Sequence, residues 1–250
     1  VVLQKADTYR DPGAIKLSRV TFKFVGDPSA QVAAMKAGDV DVFPYFGSPE
    51  SLAQFKGDAR FVVLEGTTEG ETTLSTNNKH PILKDVRVRR AIAHALDRQA
   101  IVDGAMFGYG TPIGSHFAPH HPAYVDLTGA YPHDPAKAKA LLAEAGHPNG
   151  FEVSLKLPPP TYARRGGEII AAQLAKVGIT AKIEQVEWAQ WLDVVYKKRN
   201  YGLSIVSHVE PNDINIYARK SYYFQYESPE FNAIIEKADT TVDVQERYEW

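Results

Sequence analysis

Between Val20 and Phe24 apolar and polar residues alternate, so that Val20, Phe22 and Phe24 share one face of a predicted strand. In "DPSAQVAAMKAG" the spacing becomes helical, with Asp27 placed to cap the helix and Pro28 at its first position. "DVDVFPYF" predicts a short strand, Ser48-Pro49 opens a helix to about Phe55, and "RFVVLEGT" and "ETTLSTNN" predict two further strands.

Two helices follow in close succession. Val88, Ala91, Ile92 and Ala95 recur at three- and four-residue intervals, which puts them on one helical face, while Arg87, Arg89, Arg90 and His94 fall largely elsewhere. Asp85 is the expected N-cap. Asp97 caps the second helix, whose apolar stripe is Ile101, Val102 and Ala105, before Gly104, Gly108 and Gly110 loosen the chain. A long loop rich in Pro, Gly, His and aromatic residues, "TPIGSHFAPHHPAYVDLTGAYPHD", leads to a second alternating series. That series is helix "DPAKAKALLAEAG", strand "FEVSLKL", loop "PPPTYA", helix "RRGGEIIAAQLAKVG", strand "ITAKIEQVE", helix "WAQWLDVVYKK" and strand "GLSIVSH". Strands separated by helices imply crossover connections, hence an α/β fold with a substantially parallel sheet. The pattern changes near Asn77 to Asp85, which sets the expected division into residues 1–76 and 77–250.

Composition narrows the function classes. With 250 residues, 44% of them hydrophobic, the chain can bury a sizeable core, and a formal net charge of -2 gives no general reason to bind nucleic acid. No stretch approaches the roughly 18 uninterrupted apolar residues of a membrane span. The start, "VVLQKADTYRDPG", has neither an initiator Met nor a signal peptide, so the chain is expected to be processed or cut from something longer. Zero cysteines exclude disulfides, thiolate metal sites and cysteine nucleophiles. The zinc-protease H-E-x-x-H, the nucleophile elbow G-x-S-x-G and the phosphate-binding P-loop are all missing, and "GYGTPIG" misses the dinucleotide fingerprint by one residue. A binding protein is therefore expected rather than an enzyme, with a hydrolase of small peptide-like substrates as the alternative.

Four segments in order, "AAMKAGDVDV", "LKDVRVRRAIAHALDRQAIVDGAMFGYGTP", "DPAKAKALLAEAGHPNGFEVSL" and "AAQLAKVGITAKIEQVEW", together resemble the extracellular solute-binding proteins of peptide-type ABC transporters. This is solute-binding family 5, the dipeptide, oligopeptide and nickel group. The resemblance implies a periplasmic-binding-protein-like two-lobed fold (type II, peptide-binding group), here part of the first lobe in 1–76 and most of the second in 77–250. It also implies a periplasmic or extracellular monomer without cofactor. Such a protein captures a peptide or other small solute and hands it to ABC transporter permease subunits in a membrane complex. "DVRVRRAIAHALDRQAIVDG" then reads as a structural helix pair whose arginines are solvated or paired.

In peptide-binding relatives the loop after the last strand reads Gly-Trp, followed shortly by an Asp that holds a peptide's amino terminus. Here Ser207-His208 stands in place of Gly-Trp, and Glu210 best matches the acid. Glu210 is the expected main anchor, with His208, Asp213 and Tyr217 beside it in "SHVEPNDINIYARKSYYFQY". Dipeptide-binding relatives carry an arginine for the ligand carboxylate where this chain has Leu157, which weakens a dipeptide assignment. Tyr162 is a further wall candidate, and Arg164 and Arg165 are expected to open the next helix in solvent. His116 belongs to the binding candidates through its loop, but His116, His120 and His121 are read as a solvated group and not as a metal site, since no carboxylate or further His stands at a characteristic spacing. Trp188 and Trp191, three apart on a predicted helix, are expected to pack.

Overall fold

The computed structural model describes residues 1–210 and 213–250. It falls into two compact units, Val1–Val63 and Leu64–Trp250.

In the first unit, β1 (Val2–Gln4) pairs antiparallel with β2 (Arg19–Thr21), with Leu3 opposite Val20. The helix α1 (Pro28–Ala37) has the predicted start, because Asp27 accepts a hydrogen bond from the Ala30 amide at 2.7 Å and Pro28 occupies the first turn. A 3-10 turn at Pro49–Ser51 runs into the short α2 (Ala53–Lys56). Phe55 is buried and meets the rings of Phe46 and Phe61 edge-on, at centroid distances of 5.5 and 5.0 Å. Neither "DVDVFPYF" nor "RFVVLEGT" forms a strand, and the first predicted strand shrinks to Arg19–Thr21. Phe24 is 88% and Val62 84% exposed. An extended segment becomes a strand only when its amides find a partner ladder, and among the described residues these segments find none.

The second unit contains β3 (Glu71–Thr76), α3 (Val86–Ala95), α4 (Arg98–Met106), α5 (Pro135–Glu144), β4 (Phe151–Leu157), α6 (Thr161–Ala175), β5 (Ile179–Gln185), α7 (Trp188–Trp191), β6 (Leu203–His208), α8 (Pro229–Thr240) and α9 (Val244–Tyr248). Its four-stranded sheet has the order β3-β6-β4-β5. β4 is parallel to β5 and to β6, as the crossover helices require, whereas β3 is antiparallel to β6 at the edge. This pairing corrects the expected boundary. The sequence pattern places residues 71–76 in the first unit, yet β3 is hydrogen-bonded along its length to β6, and the division falls between Val63 and Leu64.

The core lies between the sheet and its helices. α3 turns Val88, Ala91, Ile92 and Ala95 inward and packs on α5, while α4 packs on α6, and the cluster includes Leu155, Leu157, Ile170, Leu174 and Ile205. Asp85 and Asp97 cap α3 and α4 as expected, accepting from the Arg87 and Ala100 amides at 2.8 and 3.0 Å. Arg89 is half-buried and donates to the carbonyls of Leu83 and Lys84 at 2.9 Å each, and Arg87 pairs with Asp85. α6 begins at Thr161, so Arg164 and Arg165 lie within it; Arg164 pairs with Glu187 at 3.1 Å and Arg165 lies over the Phe107 ring. The helix expected from Trp188 turns into a π-helix over Leu192–Lys197. Trp191 is buried and donates to Ser204 Oγ at 3.0 Å, while Trp188 stays 42% exposed.

Gly150, at φ 77, lets the start of β4 approach Gly178 so closely that a Cβ would meet the Gly178 carbonyl. Gly150→Ala is expected to cost about 2–4 kcal/mol, because left-handed strain adds to a clash that no side-chain rotation relieves. Denaturant melts check this. A loss under about 0.5 kcal/mol, the usual range of surface substitutions, would show that the β4–β5 start yields freely.

Candidate functional site

Because β3 runs antiparallel to β6, the first residue of β3 meets the last residue of β6, and the register places Glu71 opposite His208. The chain then leaves the sheet. Val209 and Glu210 lead to Pro211 and Asn212, which lie outside the described residues, and Asp213 stands ahead of a 3-10 turn at Ile214–Tyr217. The loop carrying His116 comes to the same place. Its imidazole Nε2 lies 2.7 Å from Asp213 Oδ1 and 3.4 Å from Glu71 Oε1, and its Nδ1 lies 3.2 Å from the Tyr217 hydroxyl.

From Asp213 the polar contacts continue inward. His208 Nδ1 is 3.8 Å from Asp213 Oδ2, His208 Nε2 is 3.1 Å from the Tyr223 hydroxyl, and that hydroxyl is 2.7 Å from Ser75 Oγ. The His116, Glu71, Asp213 and His208 side chains are 5%, 3%, 9% and 9% exposed, so this is an enclosed network. His116 is thus not part of a solvated histidine loop. Spacing along the sequence does not reveal this, because the two carboxylates beside it come from distant segments. Of its neighbours, His120 pairs with Glu69 at 2.6 Å with both side chains partly exposed, and His121 stacks on Phe117 at 4.3 Å.

The predicted candidates separate into a buried and an exposed set. His116, His208, Asp213 and Tyr217 belong to the network. Glu210 is exposed, and its Oε2 accepts a hydrogen bond from the Val209 amide at 3.1 Å. Tyr162 reaches β6 from the first turn of α6, its hydroxyl accepting from the Ser207 amide at 3.2 Å. Leu157, aligned with the arginine of dipeptide-binding relatives, is fully buried in the core. Tyr223 joins the network from the same 207–226 loop, whereas Glu71 and Ser75 join it without any signal in their own segment. Glu71 opens a strand in which Leu74 is the one apolar residue, and nothing local announces that its carboxylate ends beside His116. Beside the network, a cleft of about 360 Å³ is lined by Thr73, Ser75, Arg89, Tyr217, Phe224 and Phe231, among others.

Burial and the carboxylate of Asp213 push Glu71 up to about 8. Burial also pushes His208 below the ordinary imidazole range, against the pull of Asp213, and drives Tyr217 up to about 12. One oxygen or nitrogen each from Glu71, His116 and Asp213 lie within 4.8 Å of one another, as do those of His208, Glu210 and Asp213, so either group can take up a cation.

The shift of Glu71 gives a pH dependence. Its folded value lies above the unfolded carboxylate value of 4.5, so its contribution to stability is fully present below pH 4.5 and is lost as the pH rises through about 8. In chelator-treated protein the melting temperature of the wild type is expected to fall relative to that of Glu71→Gln as the pH is raised across this window. Parallel curves for the two proteins would place Glu71 in an ordinary aqueous environment.

Known proteins share this architecture. The chain is 33% identical over 192 residues to heme-binding protein A of Haemophilus influenzae and 34% identical over 182 residues to the dipeptide-binding protein of Escherichia coli. These alignments cover 75% and 71% of this chain but 34% of each relative, so the chain spans about a third of the length of these curated relatives. Among solved structures, the periplasmic binding protein AgaA from A. tumefacien R10, in complex with agropinic acid, superposes with a TM-score of 0.86 at 29% identity, over 99% of this chain and 53% of that one. The α/β fold is accordingly that of periplasmic binding proteins. Residues 1–232 match the model of the bacterial extracellular solute-binding proteins, family 5 middle, and the chain belongs to that family.

Proposed function

We propose that this chain forms part of the solute-binding component of an ABC importer, which captures a peptide or peptide-like solute and delivers it unchanged to membrane permease subunits. The observation that carries the reading is the convergence of three chain segments at the end of β6, where exposed Glu210 stands beside a buried polar network. Ligands of open α/β sheets gather at the carboxyl ends of strands, because loops there are free to vary while the sheet holds them in place. Family membership and the relatives named for heme, dipeptides and agropinic acid support a small-solute receptor.

Glu210, facing solvent, makes the primary contact with a cationic or hydrogen-bond-donating group of the solute. Asp213, His208, His116 and Tyr217 hold the loop in position, and Tyr162 fixes the end of β6 from the other side. The first unit, with Phe24 and Val62 uncovered, is part of one lobe, and the second unit is most of the other. The protein acts outside the cytoplasmic membrane, as a monomer that docks on its permease and hands the solute on without a catalytic step.

Calorimetry of the full-length protein with dipeptides, glutathione, heme and opine-type conjugates tests the reading. One class is expected to bind with a Kd of micromolar or tighter and to be recovered chemically intact. Turnover of a bound peptide would make the protein a hydrolase and overturn the proposal.

A further inference from the structure

Glu71 Oε1 is buried, accepts no hydrogen bond from any of the described residues, and points to where His116 and Asp213 also converge. An orphaned carboxylate oxygen in a dry site is costly, and a second carboxylate beside it raises the cost. Asp213 already takes the contact with His116 Nε2 at 2.7 Å, which leaves Glu71 the longer approach of 3.4 Å. Two acids and one imidazole thus share a single point, and a cation at that point satisfies all three.

We propose that Glu71, His116 and Asp213 form a site for a first-row divalent cation of the zinc class, which fastens the start of β3, the His116 loop and the 213–217 turn to one another. The donor set of one imidazole and two carboxylates suits such an ion better than magnesium or calcium, which take oxygen ligands. Two ligands bound tetrahedrally at about 2.0–2.1 Å stand about 3.3 Å apart, close to the Glu71–His116 separation. The Asp213–His116 pair has to open by about half an ångström, as it would when a direct hydrogen bond gives way to a shared ion. The binding state of His116 is prepared as well. With its Nε2 lone pair on the ion, its Nδ1–H donates to the Tyr217 hydroxyl at 3.2 Å, the outer contact that metal-bound histidines characteristically make. Three protein ligands leave a coordination position open to water. The site does not depend on which solute the protein carries, and its three ligands all lie in the second unit.

The test is titration of the chelator-treated full chain with Zn²⁺, with Mg²⁺ as a comparison. One equivalent of Zn²⁺ is expected to bind with a Kd of micromolar or below and to raise the melting temperature, while Mg²⁺ binds at least 100-fold more weakly. Glu71→Gln and His116→Ala are expected to weaken Zn²⁺ binding at least 30-fold. His120→Ala, which removes a partly exposed histidine of the same loop, leaves it unchanged. Glu71→Gln keeps the shape of the side chain, so it carries the test even if His116→Ala unfolds the protein. Absence of saturable one-to-one binding, wild-type affinity in Glu71→Gln, or an equal loss in His120→Ala overturns the proposal. So does a loss confined to Glu210→Gln, which would move the ion to the neighbouring His208, Glu210 and Asp213 group. Zinc binding and solute binding are read separately, so failure of one leaves the other standing.

Discussion

Ile92→Ala is expected to destabilise the second unit by about 2–5 kcal/mol, since it removes three carbons from a packed interior that closes only partly over the gap. Ile92 is 3% exposed and sits on the inward face of α3 with Val88, Ala91 and Ala95, in the cluster that includes Leu155, Leu157 and Leu174. Arg90, on the exposed face of the same helix, is the internal control, and its replacement by Ala should stay within about 0.5 kcal/mol. Arg89 lies between these cases, because its guanidinium satisfies the Leu83 and Lys84 carbonyls where the chain enters α3. Denaturant melts of Ala variants at the three positions order them by burial. Equal losses for Ile92→Ala and Arg90→Ala would mean that α3 does not present this face to the core.

Glu210→Gln in the full-length receptor is expected to weaken solute binding by about 2–5 kcal/mol, the range found when one partner of a desolvated, hydrogen-bonded charge pair is removed. The side chain faces solvent and is held by the neighbouring Val209 amide, so the fold should barely notice the change. His208→Ala should behave in the opposite way. It deletes a buried imidazole lying between Tyr223 and Asp213, and its main effect falls on melting temperature. Affinity and melting temperature measured on both variants separate recognition from scaffolding. Unchanged affinity in Glu210→Gln would remove this acid from the site and leave it as a turn residue.

Sequence determined the elements whose reasons are local. The apolar spacing of α3, the aspartates that cap α1, α3, α4 and α5, and the strand character of β3 to β6 all depend on residues a few positions apart, and each is legible from the order of residues alone. The resemblance that points to the family is carried by the same local segments. Tertiary structure decided what depends on partners far along the chain. The β-branched and aromatic residues of "DVDVFPYF" and "RFVVLEGT" favour an extended chain, but a strand also needs a neighbour to pair with, and local sequence cannot name one. β3 belongs to the second unit because of its ladder with β6, in which Thr73 faces Val206 across 133 positions of chain. The site shows the same division. Glu210, His208, Asp213 and Tyr217 are legible together because they share one loop, whereas Glu71 joins them only when antiparallel pairing brings the start of one strand to the end of another. His116 looks solvated from its own loop, yet it is buried against acids from two other segments, Asp213 alone lying 97 positions away, and only the folded chain creates that proximity.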